Sequence, residues 1–329
     1  MSDSSSPDPR SRLRVIILNY RTPELTVACL HSLLPELESF PEFHVVVVDN
    51  NSEDGSADKI SAAIAEQGWD WVTLMPLAQN GGYASGNNAA IRPALALEQP
   101  PQYFHILNPD TVVQPGAVKT LVDFMEQHPD VGIAGSRLQD PDGTPQASAF
   151  RFPNLLGEIE GGLRLGVISQ LLANWRVVQP IPEANAQTDW VAGASMIVRR
   201  QVFETAGLMD DDYFLYFEEV DFCLAAARAG WPCWYVPDSR VVHYVGKSTG
   251  ISETRQVSKR IPTYWFDSRR RYFIKNYGRL YAALSEVALA SSYSVWRMRR
   301  WVQRKPDGDP PYFLVDFLRN STLVKGGQL

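Results

Sequence analysis

The sequence predicts an α/β protein with a mostly parallel central sheet, helices on both of its faces, and a helical C-terminal extension. Three observations lead there. Short β-branched apolar runs alternate with helical segments as far as His128. Each of those runs ends on polar residues, as strands do when their carboxyl ends line a ligand crevice. Beyond Arg255 the pattern changes to long Arg-rich stretches of helical period.

The run LRVIILNY reads as a buried first strand ending at Asn19 and Tyr20. Thr22-Pro23-Glu24 then opens a helix, with Thr22 as cap and Pro23 in the first turn. FHVVVVDN is a second strand ending at Asp49 and Asn50, and Ser52 to Ser56 turns into a second helix. WVTLMPL, the glycine-rich loop NGGYASGNN and the helix Ala89 to Leu97 make a third unit. YFHILNPD and the helix Gly116 to His128 make a fourth. Next, Arg137 to Phe152 predicts a hairpin around Asp142-Gly143. DWVAGASMIVRR is a further strand, and FLYFEEVDFCLAAARAG a loop entering a helix that Gly230 ends. CWYVPDSRVVHYVGKST is a strand or hairpin with His243 at its end.

Apolar residues make up 45% of the 329 and charged residues 21%, which argues against general disorder. The net charge of -6 excludes a uniformly basic nucleic-acid binder, but it is unevenly spread. Arg255 to Lys305 holds 13 basic residues against Asp267 and Glu286, a surplus of +11 that leaves -17 for the rest. Cys29, Cys223 and Cys233 form no CxxC, so neither a disulfide scaffold nor a zinc ribbon is expected. The polar N-terminus shows no secretory h-region and no stretch is long and apolar enough to span a bilayer, so the expectation is a soluble, cytoplasmic chain. Gly81, Gly82 and Gly86 do not make the dinucleotide GxGxxG. Gly246-Lys247-Ser248-Thr249 fails as a phosphate loop because Val241 stands where its first glycine should be. Arg300-Trp301 lacks the glutamine of the QxxRW motif of processive polymer synthases.

Six motifs then fall in order: Asp49-Asn50-Asn51-Ser52, Asn80 to Asn88, Asn108-Pro109-Asp110, Gly193-Ala194, Phe217 to Asp221, and His243. With them, roughly residues 13 to 280 resemble family 2 glycosyltransferases of the GT-A fold, in the rhamnosyltransferase-like branch that builds bacterial surface polysaccharides. The resemblance implies a catalytic domain over 13–250, preceded by a disordered tail (1–12) and followed by a basic helical region (251–329) that meets the acceptor or a membrane. It implies an inverting hexosyltransferase that takes a sugar, L-rhamnose from dTDP-L-rhamnose in this branch, to a glycan or lipid-diphosphate-linked acceptor. A UDP-linked hexose or hexosamine would use the same site.

Asn19, Arg21, Asp49, Asn51, Gly82, Asn87, Asp110, Gly193 and Lys247 would hold the donor, with Asp49 reading the N3–H of uracil or thymine. The same residue types around Asp49 also make an Asx-turn. Asn108 replaces the first acid of the family's DxD, which leaves Asp110 as the principal carboxylate for Mg²⁺ or Mn²⁺. A second ligand is then needed, and His243 matches the family's His-x-x-Gly-x-Ser. His31, His44, His105 and His128 have no acids clustered around them. The family's base falls on Glu219, a glutamate where aspartate is usual, with Glu218 and Asp221 as alternatives. A helix N-terminus there would keep it ionised.

In the basic region, Leu284, Ala288, Ser291, Val295, Met298 and Val302 share a helical face, and Trp296 and Trp301 suit a membrane interface. The same pattern serves a helix packed on the catalytic domain with a solvated charged side. Two rival classes remain. A sugar nucleotidyltransferase should carry a Gly/Arg-rich loop where this chain reads NYRTPE, and a non-catalytic membrane-associated glycan-binding protein would lack a complete metal pair.

Overall fold

The structure, a computed structural model, describes residues 12–244 and 259–326. In chain order it begins β1 (Leu13–Asn19), α1 (Pro23–Ser32), α2 (Leu34–Ser39), β2 (Phe43–Asp49), α3 (Ser56–Gln67), β3 (Val72–Pro76), α4 (Gly82–Leu95) and β4 (Tyr103–Leu107). There follow β5 (Thr111–Val113), α5 (Ala117–Gln127), β6 (Ile133–Gln139), β7 (Ala149–Phe150), α6 (Leu155–Leu163), α7 (Gly166–Leu171), β8 (Ala186–Thr188) and β9 (Trp190–Val191). The chain continues with β10 (Ser195–Arg199), α8 (Arg200–Ala206), α9 (Glu218–Arg228), β11 (Cys233–His243), α10 (Thr263–Val302), α11 (Phe313–Arg319) and α12 (Thr322–Lys325).

The main sheet runs β3-β2-β1-β4-β10-β6-β11-β5, with β8 also paired to β11. Strands β3, β2, β1 and β4 are mutually parallel, as the strand–helix alternation predicts. The other half is mixed: β10 is antiparallel to β4 and β6, β6 is parallel to β11, and β5 and β8 are antiparallel to β11. A parallel neighbour needs a crossover of a dozen or more residues. The turn from β4 to β5 is far shorter than that.

Burial on both faces explains the unbroken apolar runs of β1 and β2. Val15 and Ile17 of β1, Val45 and Val47 of β2, and Val118, Leu121, Val122 and Met125 of α5 join one core cluster. Each such side chain contributes about 1.5–3 kcal/mol by leaving water. The buried carboxylate of Glu36 in α2 accepts the amides of Gly116, Val118 and Lys119, and so caps α5 from outside.

Five local expectations change. The predicted glycine-rich loop is largely the first turns of α4, which begins at Gly82. Thr22 makes no side-chain cap for α1; its hydroxyl turns back to Asn19 Oδ1 at 3.2 Å. The hairpin shrinks to a turn at Asp140–Gly143 closed by the bridge Gln139–Pro145. DWVAGASMIVRR is two strands, because Ala192, Gly193 and Ala194 leave the ladder. Lastly, α10 breaks at Gly278 (φ 84°, ψ 165°), a conformation open to glycine alone.

The described residues form two compact units. One comprises 12–149, 180–214 and 218–244; the other comprises 150–179, 215–217 and 259–326. The first holds the whole main sheet. In the second, α6 packs along α10 at Gly162, where any Cβ would overlap the Ser292 hydroxyl.

Part of the +11 surplus is met inside that second unit. Arg269 pairs with Glu158 at 3.0 Å, Arg260 with Asp316 at 2.7 Å, Arg297 with Asp307 at 2.7 Å, and Arg300 with the same aspartate at 2.5 Å. These three acids, Glu158, Asp307 and Asp316, lie outside the window in which the charge was counted and offset three of its eleven surplus charges. Among the described residues, no helix is long and apolar enough to cross a membrane. All three cysteines are buried thiols.

Candidate active site

The site is built at the carboxyl ends of β1, β2 and β4, as the topology requires. Asp49, at the end of β2, is buried. Its Oδ1 accepts Asn19 Nδ2 and Ser52 Oγ, both at 2.6 Å, and its Oδ2 accepts Ser52 N at 3.1 Å. This is an Asx-turn geometry that leaves one lone pair of Oδ2 for a ligand N–H. Asn19 is fully buried and saturated: its amide donates to Asp49 and Ser52, and its oxygen accepts from Thr22 and Thr26. Asn19 therefore supports Asp49 from below rather than touching a donor. Arg21 (φ 57°) donates from Nε to Ser52 O at 2.9 Å, and Asn51 also sits in the left-handed region (φ 55°). Asn50 donates to Asn80 Oδ1 at 2.9 Å and to Gly82 O at 3.1 Å, tying β2 to the start of α4.

Gly82 (φ 87°) is irreplaceable in this geometry, because a Cβ would overlap Phe214 O. The next amide, Tyr83 N, donates to that same carbonyl at 2.7 Å. Asn87 is fully buried inside α4 and spends its Nδ2 on Tyr83 O at 2.9 Å. The expectation that Asn87 contacts the donor directly does not fit that burial. The Tyr83 hydroxyl lies 3.1 Å from Asn108 Oδ1 and 2.9 Å from Gly193 O. Burial pushes its pKa well up, and the nearby charges of Glu219, Glu218 and Asp110 add to this.

Pairing of β5 with β11 sets His243 opposite Thr111, and Tyr244 N donates to Asp110 O at 2.9 Å. That ladder carries His243 Nε2 to 3.6 Å from the buried Asp110 Oδ1. On the other side of the ring, Nδ1 lies 3.1 Å from Gln146 Oε1. Gln146 Nε2 donates to Asp140 Oδ1 and to His243 O, both at 2.8 Å. Lys247 and Ser248 lie outside the described residues.

Glu218 and Asp221, in the first turn of α9, are buried, while Glu219 is half-buried. Gly193 N–H donates to the Glu219 carboxylate. Burial raises the Glu219 pKa against the opposing pull of that amide and of the helix's own N–H, so the helix N-terminus does not dominate as expected. Glu218 is raised well above its ordinary range by burial and by the Glu219 charge. Four buried oxygens of these residues have no hydrogen-bond partner: Asn50 Oδ1, Asn87 Oδ1, Glu218 Oε2 and Glu219 Oε2.

Among the described residues, no group of three or more His, Cys, Asp or Glu side chains is assembled for a metal. The pair Asp110–His243 still fits a hard divalent cation, which characteristically takes one or two carboxylates, waters and substrate phosphates. With Gln146 Nε2 committed to two acceptors, its Oε1 must accept Nδ1–H. In the neutral ring the lone pair of Nε2 would then face Asp110 Oδ1, two electron-rich atoms that a cation would satisfy.

Sequence reasoning missed Tyr83, Ser52 and Gln146. Tyr83 lies unremarked inside the glycine-rich motif, and Ser52 reads only as the start of a turn. Gln146 carried no signal, because its partners come from β11 and the turn after β6.

The mixed α/β sheet with its polar carboxyl edge and the helical C-terminal region make a glycosyltransferase fold of the GT-A type. The comparisons agree. Residues 9–260 match the model of the "Glycosyltransferase like family 2", and the chain belongs to this family. It is 30% identical over 243 residues to the N-acetylglucosaminyl-diphospho-decaprenol L-rhamnosyltransferase of Mycobacterium tuberculosis, covering 68% of this chain and 76% of that one. It is 25% identical over 240 residues to the dTDP-rhamnosyl transferase RfbF of Shigella flexneri, covering 72% and 70%. In fold it is similar to the mannosyltransferase PcManGT of Pyrobaculum calidifontis, solved with GDP-Man and Mn²⁺, at a TM-score of 0.56 and 16% identity over 97% of this chain and 84% of that one. The protein is a glycosyltransferase, rhamnosyltransferase-like in sequence.

Proposed function

We propose that this glycosyltransferase moves L-rhamnose from dTDP-L-rhamnose to a glycan or lipid-diphosphate-linked acceptor, with inversion and with a divalent cation. The donor and acceptor classes rest on the two relatives, whose names carry rhamnosyl transfer, dTDP and a diphospho-decaprenol acceptor. The mechanism rests on one observation: the Tyr83 hydroxyl joins Asn108, next to the Asp110–His243 pair, to Gly193, whose amide holds Glu219.

Asp49 would take the thymine N3–H on its remaining lone pair, and the ribose and diphosphate would follow along Arg21, Asn51 and the N-terminal turn of α4. Asp110 and His243 would hold Mg²⁺ or Mn²⁺, which neutralises charge growing on the leaving diphosphate. Glu219 is the base because it alone of the three acids keeps an exposed side for an acceptor to reach. A general base contributes about 10²–10⁴-fold, and Glu219→Gln should lose that much transfer while retaining donor binding. Since Glu219 acts ionised and burial raises its pKa, kcat/KM should fall as pH drops through a value above the ordinary 4.5. The acid limb should vanish in Glu219→Gln. Wild-type turnover in that variant would remove Glu219 from the mechanism. dTDP-rhamnose at about 100 times its Kd should stabilise the fold by about 2.7 kcal/mol; stabilisation by UDP-sugars alone would reassign the donor.

The acceptor's lipid end accounts for the second half of α10, where Leu280, Leu284, Val287, Met298, Trp301 and Val302 are exposed. We assign this face to a bilayer surface.

A further inference from the structure

A phenolic hydroxyl carries one proton, and Tyr83 places its hydroxyl between two groups that accept. Gly193 O is a carbonyl oxygen at 2.9 Å and has no hydrogen to offer, so the Tyr83 proton must lie on that contact. The second contact, to the Asn108 carboxamide at 3.1 Å, then has no proton if the amide presents its oxygen. Two oxygens at that distance with no hydrogen between them repel. A half-turn of the amide exchanges its oxygen and nitrogen at almost no steric cost and converts the contact into an Nδ2–H donated to the Tyr83 oxygen.

Nothing in the surroundings opposes the turn. The Asn108 backbone is fixed independently: its N–H donates to Ala194 O at 3.0 Å, and its carbonyl accepts Thr111 Oγ1 at 2.7 Å. The side chain is half-buried, with its outer edge open. Tyr83 itself is held from both ends, by its amide on Phe214 O and by its hydroxyl on Gly193 O. A Cβ at Gly193 would lie 2.9 Å from that hydroxyl, so glycine there is what lets the phenol reach the carbonyl.

We propose that Tyr83 is a positioning residue that binds the Asn108 amide nitrogen and turns the Asn108 oxygen outward, as a further hard ligand for the divalent cation held at Asp110 and His243. An amide oxygen can thus serve where a carboxylate would otherwise stand, without adding a negative charge beside the donor diphosphate. The same hydroxyl ties this oxygen to the strand end that holds Glu219. The cation-binding part rests on the function proposed above; the amide orientation does not.

Two measurements on the full-length protein test it. With asparagine-selective ¹⁵N labelling and the Asn108 signal assigned by its loss in Asn108→Ala, the ligand-free side-chain NH₂ should exchange at least about tenfold more slowly than an exposed amide. Tyr83→Phe should abolish that protection. Mn²⁺ binding in the presence of saturating dTDP, followed by electron paramagnetic resonance, should weaken about 10–100-fold in Tyr83→Phe. A wild-type Asn108 NH₂ that exchanges like a free amide, or Mn²⁺ affinity in Tyr83→Phe within twofold of wild type, would overturn the proposal. If the wild type binds neither Mn²⁺ nor dTDP, the functional reading falls instead, and the exchange measurement alone decides the orientation.

Discussion

A carboxamide whose nitrogen is already committed can serve its remaining neighbour only as an acceptor, and Gln146 is in that state. Its Nε2 bonds Asp140 and the His243 carbonyl, so Oε1 holds Nδ1–H and turns Nε2 of His243 toward Asp110. Partners that orient a ligating histidine typically account for 10–100-fold in metal affinity. Gln146→Leu should therefore weaken Mn²⁺ binding by about that factor in a calorimetric titration with dTDP present. An unchanged affinity would show that Asp110 alone orients the ring. None of this was legible in the sequence, since a glutamine in a predicted hairpin has no marked chemistry. His243 was legible, because it ends an apolar strand before GKST. Asp49 was half legible: the motif marks it, but its carboxylate is largely occupied by Asn19 and Ser52.

At the scale of elements, the start of α4 is the least tolerant segment. Gly82 combines a left-handed backbone with contact against Phe214 O, so Gly82→Ala meets strain and overlap together. The strained backbone alone costs about 1–3 kcal/mol. The variant should unfold at lower denaturant and lose dTDP affinity, because Tyr83 N and the Asn50–Asn80 link depend on the same turn. Retained affinity at wild-type stability would mean that α4 does not shape the donor site. The parallel strands β1 to β4 were readable from apolar runs of fixed period. The mixed half was not. Its register is held partly by a buried chain, His105–Ser195–Ser136–Ser239, with steps of 2.7–2.9 Å across four strands. His105 is kept neutral by burial, its pKa lowered to about 4. Serines and a histidine scattered over some 130 positions give no period to detect.

For the whole molecule, the charge distribution changes meaning once the chain is folded. Four arginines of the basic block, Arg260, Arg269, Arg297 and Arg300, are paired with Glu158, Asp307 and Asp316. A membrane contact through α10 would draw on its exposed apolar face as well as on the remaining charge. Co-sedimentation with anionic vesicles should persist at high salt and fall when Met298 and Trp301, both exposed, are changed to alanine. Binding abolished by salt would return the contact to electrostatics.

The sequence by itself determined the strand–helix alternation, the carboxyl-edge location of the site and the motif residues Asp49, Asp110, Glu219 and His243. These follow from local periodicity and from residues adjacent in the chain. Only the tertiary structure decided which oxygen or nitrogen each side chain presents, which carboxylate stays reachable, and where the arginines spend their charge. Hydrogen bonds and ion pairs between residues 30 to 150 positions apart fix those choices, and their geometry exists only once the sheet has closed its register.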